Sequence, residues 1–340
     1  MWTTSLRYFA PGVFIALFLA APLAAQPAAE RVWTSLPPGL AGQADLPPGR
    51  GVYQLNHGAL QRVLAQAPVE GAVPRGDGAL LSLPGVDGDF ISFRVQRSPV
   101  MAPELASRYP GIQTFSGQAV GNAATSVRFS STPNGFQATM VGPAGVAFVA
   151  PIARGDTDNY SVTTIDEAPE TAFQCLVGAF APGSGEVASL AGTSAAAGLA
   201  PSGDSLTTYR LAVAATGEYT AFLGGTTEEA LAGIAMVVNA INAIYEVEVA
   251  VRLMLVADND QIIYDDPDTD PFPLTDRNGE TQAAIDDVIG DGNYDIGHLF
   301  HRAGSSISGN AGCIGCVCTT GSKGSAWSQG PTPTNGNFIF

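Results

Sequence analysis

Few side chains in this sequence can do chemistry, and most of them lie late in it. The only histidines are His57, His298 and His301, two of them in His298-Leu-Phe-His301. Cysteines stand at Cys175, Cys313, Cys316 and Cys318, the last three within Cys313-Ile-Gly-Cys316-Val-Cys318. Asp266, Asp268 and Asp270 alternate with Pro267 and Thr269. Imidazole and thiolate are zinc ligands in tetrahedral sites, and alternating carboxylates are the oxygen donors of calcium loops.

Each set has a plainer reading beside the chemical one. Residues three apart on a strand point to opposite faces, so one ion cannot easily use both His298 and His301. Helical zinc pairs instead use a spacing of four. The Cys313, Cys316 and Cys318 cluster joins C-x-x-C to C-x-C and, with the two histidines, has the ligand types of a Cys/His zinc site. Disulfide or loop structure is favoured if the chain is exported. Asp266, Asp268 and Asp270 fail the EF-hand spacing, because Pro271 stands where glycine is required and Arg277 where glutamate is required. Asp258, Asp260 and Asp265 keep an irregular calcium site open beside a solvated acidic loop. His57 stands among apolar and neutral neighbours and reads as structural.

The elements that must position these groups fall into blocks. Lys+Arg 15 against Asp+Glu 31 gives a net charge of −16, which argues against nucleic acid or an anionic membrane surface as partner. Residues 1–25 read as a secretory signal peptide, with Arg7 before the apolar run Val13–Ala21 and small residues at Pro22–Ala25. No further membrane span is expected, and the protein is expected to be secreted. Residues 26–50 are Pro/Ala/Gly-rich and expected to be extended. Residues 51–177 alternate short apolar runs with turn residues, as in Ala79–Leu83, Phe90–Val95 and Gly145–Ile152, the pattern of a β-rich domain. Asn134-Gly135 between Ser126–Ser131 and Phe136–Val141 favours a tight hairpin. Residues 178–205 are Gly, Ala, Ser and Pro, a linker exposed to proteolysis.

After the linker the periodicity changes. Tyr209–Ala215 reads as a strand. Thr226-Thr-Glu-Glu229 forms a capping box opening a helix to about Tyr245. Val247–Leu255 alternates as a half-buried strand, a weaker helix spans about Glu280–Ile289, and Tyr294–Phe300 returns as a strand. The order β-α-β-α-β implies an α/β sheet.

Within this block Tyr209–Thr220, Asp266–Phe272, Asn293–Phe300 and Cys316–Gly324, in this order, resemble the bacterial secreted reprolysin-like zinc metallopeptidases, a branch of the metzincins. The resemblance implies a metzincin-like α/β catalytic domain over 206–340, preceded by a β-rich pro-domain over 51–177. In that family a strand leads into a helix carrying H-E-x-x-H-x-x-G-x-x-H, which holds Zn and supplies the general base for a metal-bound water. Asn337–Phe340 is expected to be that strand. The 340 residues contain no H-E-x-x-H, so catalytic and metal residues are expected to be absent and the domain is expected to be truncated. A missing helix would leave apolar residues of Tyr294–Phe300 uncovered.

The resemblance also gives Cys175 a role. Precursors of secreted zinc peptidases often block the metal with a pro-region thiolate, and Cys175 has the matching place in chain order without the P-x-C-G context. A disulfide to Cys313, Cys316 or Cys318 and an unpaired structural thiol are the alternatives. The reading as a whole is the front portion of a secreted zinc endopeptidase zymogen, acting on protein or peptide in its intact form and inactive as given. The alternative is a secreted, non-catalytic binding or inhibitory module.

Overall fold

A computed structural model describes residues 30–37, 51–164, 205–304 and 307–332, together with the backbone of 174–175. The expected signal peptide, nearly all of the linker and Asn337–Phe340 lie outside the described residues.

The first sheet has nine strands: β1 (Trp33–Leu36), β2 (Val52–Leu55), β3 (Ala79–Pro84), β4 (Phe90–Arg97), β5 (Gln113–Ala119), β6 (Asn122–Thr132), β7 (Gly135–Gly142), β8 (Gly145–Pro151) and β9 (Asn159–Thr164). Their order is β1-β2-β9-β8-β7-β6-β5-β4-β3, with antiparallel neighbours. Period-two alternation turns Phe93, Val95, Phe115, Val127 and Phe129 into one core, covered by helix α1 (His57–Ala65) through Leu60, Val63 and Leu64. β1 belongs to this core: the Trp33 ring meets Phe136 and Tyr160 edge-on. The stretch 26–50, expected to be merely extended, therefore supplies an edge strand. The hairpin at Asn134-Gly135 forms as its residues imply, with Gly135 at φ 105°.

The second sheet contains β10 (Gln174–Cys175), β11 (Thr207–Ala215), β12 (Val251–Leu255), β13 (Ile296–Arg302), β14 (Ser308–Asn310) and β15 (Ala326–Gly330). Its order is β10-β14-β15-β13-β11-β12. Strands β12, β11, β13 and β15 are parallel, β14 runs antiparallel to β15, and β10 runs parallel to β14. The connecting helices are α3 (Gly217–Leu223), α4 (Thr227–Glu248) and α5 (Arg277–Val288), with α2 (Pro103–Arg108) in the preceding segment. Leu211, Val213 and Ala215 face Leu231, Ile234 and Val238 of α4. Ala212 and Ala214 face the other way, into a core with Ile285, Tyr294, Leu299 and Trp327. An α/β domain beside a β-rich region is thus what the sequence builds.

The two parts share structure. Val100, Met101, Leu105 and Ile112, from the β-rich region, are buried in the α4 core. Met101 bridges Leu255 in parallel, with Leu255 N donating to Val100 O at 2.7 Å and Ala102 N to Leu255 O at 2.9 Å.

Several local expectations are corrected. α4 runs to Glu248, so the strand expected from Val247 begins only at Val251, after Ala250 turns through φ 52°. The alternating valines favoured a strand there. The helix persists because Glu246 is held by Arg128 and Arg252 and Val249 N caps Tyr245 O. Strand β13 is shifted two residues, placing both histidines on it. Tyr294, Leu299 and Phe300 are buried, not uncovered, because α5, Trp327 and Tyr219 pack on them. Among the described residues one helix, α4, is long and apolar enough to cross a membrane by length and composition. Most of it packs inside the core, between the two sheets.

Candidate functional site

Ligands of open α/β sheets gather beyond the carboxyl ends of the parallel strands. Here β11 ends at Ala215 and β13 at Arg302, and residues at or just past these ends meet. Thr216 is the N-cap of α3, its hydroxyl accepting from Tyr219 N at 3.4 Å and lying 3.0 Å from His301 Nδ1. Glu218 Oε2 lies 3.7 Å from the same ring nitrogen. From the loop before α5, Asp270 accepts from Gly217 N at 2.8 Å and from Phe272 N at 3.0 Å.

Burial pushes the Asp270 carboxyl up and the Glu218 charge adds to this, against its two backbone hydrogen bonds. Burial pushes His301 down, with Arg277 adding and Glu218 and Asp270 opposing. A neutral imidazole beside carboxylates can receive or pass a proton. Sequence reasoning missed Thr216 and Glu218. The available signal was a threonine cap followed by an acidic residue in the first helical turn, the same signal that located α4.

The quoted motifs are brought together by glycines. A Cβ on Gly217 would overlap the backbone of Asp266 and Pro267, tying the Thr216–Tyr219 turn to the aspartate loop. A Cβ on Gly297 would lie 2.6 Å from Gly324 Cα, tying Asn293–Phe300 to the Cys316–Gly324 run.

The other singled-out residues take these places. His298 points away from His301: its Nε2 lies 2.9 Å from Ser328 Oγ, and burial pushes it down to about 4. Asp266 spends its carboxylate on Asp268 N at 2.9 Å and the Thr269 hydroxyl at 3.0 Å. Cys313 and Cys316 form a disulfide with Cα atoms 5.9 Å apart, while Cys318 is an exposed free thiol whose N donates to Asp295 O. His57 is on the surface beside Asp158, 2.9 Å away. Cys175 lies on β10, with its backbone opposite Gly309.

Among the described residues no three His, Cys, Asp or Glu side chains converge as a metal set. His298 and His301 are turned to different partners, so the described residues do not fit the zinc that the resemblance implies.

Residues 205–339 match a protein family described as Metallo-peptidase family M12B Reprolysin-like. The match covers the second sheet except β10, together with its helices, and supports a reprolysin-like metallopeptidase character for that part. No curated protein matches the chain.

Proposed function

We propose that this chain is the pro-region and scaffold portion of a secreted, zinc-dependent endopeptidase of reprolysin type, held as a zymogen. The family match supports the peptidase class, its zinc dependence and a protein or peptide substrate. One observation carries the zymogen reading: Gln174 and Cys175, from the segment before the linker, add a strand to the sheet edge at Ser308 and Gly309. An extended peptide that joins an exposed strand edge gains main-chain hydrogen bonds there. With β10 on that edge, a substrate strand is excluded from it.

Cys175 is the residue on this strand suited to a blocking role, as a thiolate ligand or through a disulfide. Residues 1–25 direct export, and an oxidising destination agrees with the Cys313–Cys316 bridge. The 340 residues contain no H-E-x-x-H, and no catalytic step is assigned to their histidines. The purified polypeptide should leave casein-like substrates uncut. Chelator-sensitive cleavage that co-purifies with it would overturn the inactive reading and direct attention to His301, Glu218 and Asp270.

A further inference from the structure

The face of the first sheet opposite its core carries an unusual array. On β4, β5 and β6, Gln96, Ser116 and Arg128 lie in one cross-strand row, and Arg94, Gln118 and Ser126 in the next. All six side chains are polar, although this face is turned toward α4. Packed helix–sheet contacts are ordinarily apolar, since burying unpaired polar groups is costly. The array is not sealed: it forms the floor of a cavity of about 240 Å³, bounded by Ala243, Glu246 and Val247 of α4. At the roughly 30 Å³ that a liquid water occupies, that is room for about eight waters or one small organic anion.

The charge of the cavity runs against that of the chain. Arg75, Arg94 and Arg128 line it against Glu246, in a sequence of net charge −16. Arg128 is committed: it donates to Glu246, to Asn239 Oδ1 at 2.7 Å and to Ser98 Oγ at 2.8 Å. Arg94 is not committed. It donates to Gly78 O at 3.2 Å and has no carboxylate partner among the described residues. Arg75 reaches Glu70 only at 4.0 Å, with most of its side chain exposed. The α4 carbonyl end, which disfavours anions, is faced by Arg128 and by Arg252, which also binds Glu246.

We propose that this junction cavity is a binding site for a small oxyanion, a carboxylate or phosphoryl group held by Arg94 and Arg75. The planar guanidinium fork suits either group, and the neighbouring Ser116 and Ser126 hydroxyls supply neutral donors. A ligand here touches the β-rich floor and the α4 wall together, so its binding stabilises their association. The proposal is independent of the peptidase reading.

The test is calorimetric titration of the full chain at pH 7 and fixed ionic strength, using inorganic phosphate and, separately, citrate. Saturable binding of one equivalent is expected, with phosphate alone marking a phosphoryl site, citrate alone a carboxylate site, and both a general oxyanion site. Arg94→Gln should weaken it about tenfold or more, the scale of one charge-assisted hydrogen bond. The exposed Arg75→Gln should weaken it several-fold, and it serves as the deciding variant if Arg94→Gln does not fold. Absence of binding by both anions, or wild-type affinity in the folded variants, overturns the proposal.

Discussion

The Arg128 guanidinium, buried on the β-rich sheet, meets the Glu246 carboxylate 2.7 Å away, at the end of the long helix of the α/β part. Arg252 binds the same glutamate, and through Glu70 at 2.9 Å returns to the β-rich part, closing a four-residue ionic network across the junction. Removing one member of a buried pair leaves the other charge uncompensated. Glu246→Ala should therefore cost about 3 kcal/mol or more in denaturant unfolding. Replacing Arg128 and Glu246 together by methionine should cost much less than the sum of the single changes.

Limited proteolysis should cut first within residues 178–205, and the two products should stay associated at pH 7. Val100, Met101, Leu105 and Ile112 remain buried beneath α4 whether or not the linker is intact. Burial alone would raise the Glu70 carboxyl, but hydrogen bonds from Arg252 and Ser98 and the charges of Arg252 and Arg128 take it below its ordinary value. A lowered carboxylate contributes stability in full above its unfolded pKa and loses it as pH falls through the folded one. Size-exclusion chromatography of the cut protein should show co-elution at pH 7 and weakening association as the pH is taken below the ordinary glutamate range. Separate elution at pH 7 would refute the shared core.

Histidine 298 supplies a second pH dependence. Its pKa is pushed down to about 4, against about 6.5 in an unfolded chain. Between those values the unfolded state binds more protons, so stability falls as pH drops from about 6.5 toward 4. His298→Asn, which keeps a polar partner for Ser328, should flatten that part of a melting-temperature profile. An unchanged slope would assign it to other groups.

Gly217→Ala should reduce folded protein sharply, because the added carbon meets the backbone of Asp266 and Pro267, which cannot swing aside as a side chain would. Gly292→Ala, where nothing lies within 4 Å of the added carbon, is the matched control and should behave as wild type in circular dichroism melts.

In a longer form of the protein that includes a zinc-binding helix, Cys175→Ser should raise the activity of the uncleaved precursor if the thiolate is the blocking ligand. Serine hydroxyl is a poor zinc ligand at neutral pH. Mass mapping of the unreduced protein distinguishes the disulfide alternative first: a Cys175–Cys318 peptide would rule out the switch.

Strand and helix periodicity made the α/β block legible, and the Thr226 cap located α4 to the residue, because capping and side-chain alternation are local effects. Local alternation also misplaced the end of that helix, since Glu246 is fixed by arginines 118 and six positions away in sequence. The motifs of the resemblance were readable as strings, but their convergence was not. Gly217, at the start of α3, against Pro267 and Gly297, on β13, against Gly324 are contacts between segments far apart in sequence, set by how parallel strands align their ends. The Arg94 and Arg128 array was invisible for the same reason: polar residues alternating on β4 and β6 read as a solvent face until α4 is laid over them. Sequence alone determined the element types, the charge balance and the inventory of reactive side chains. Tertiary structure decided which of those side chains meet, because burial and long-range pairing belong to no single segment.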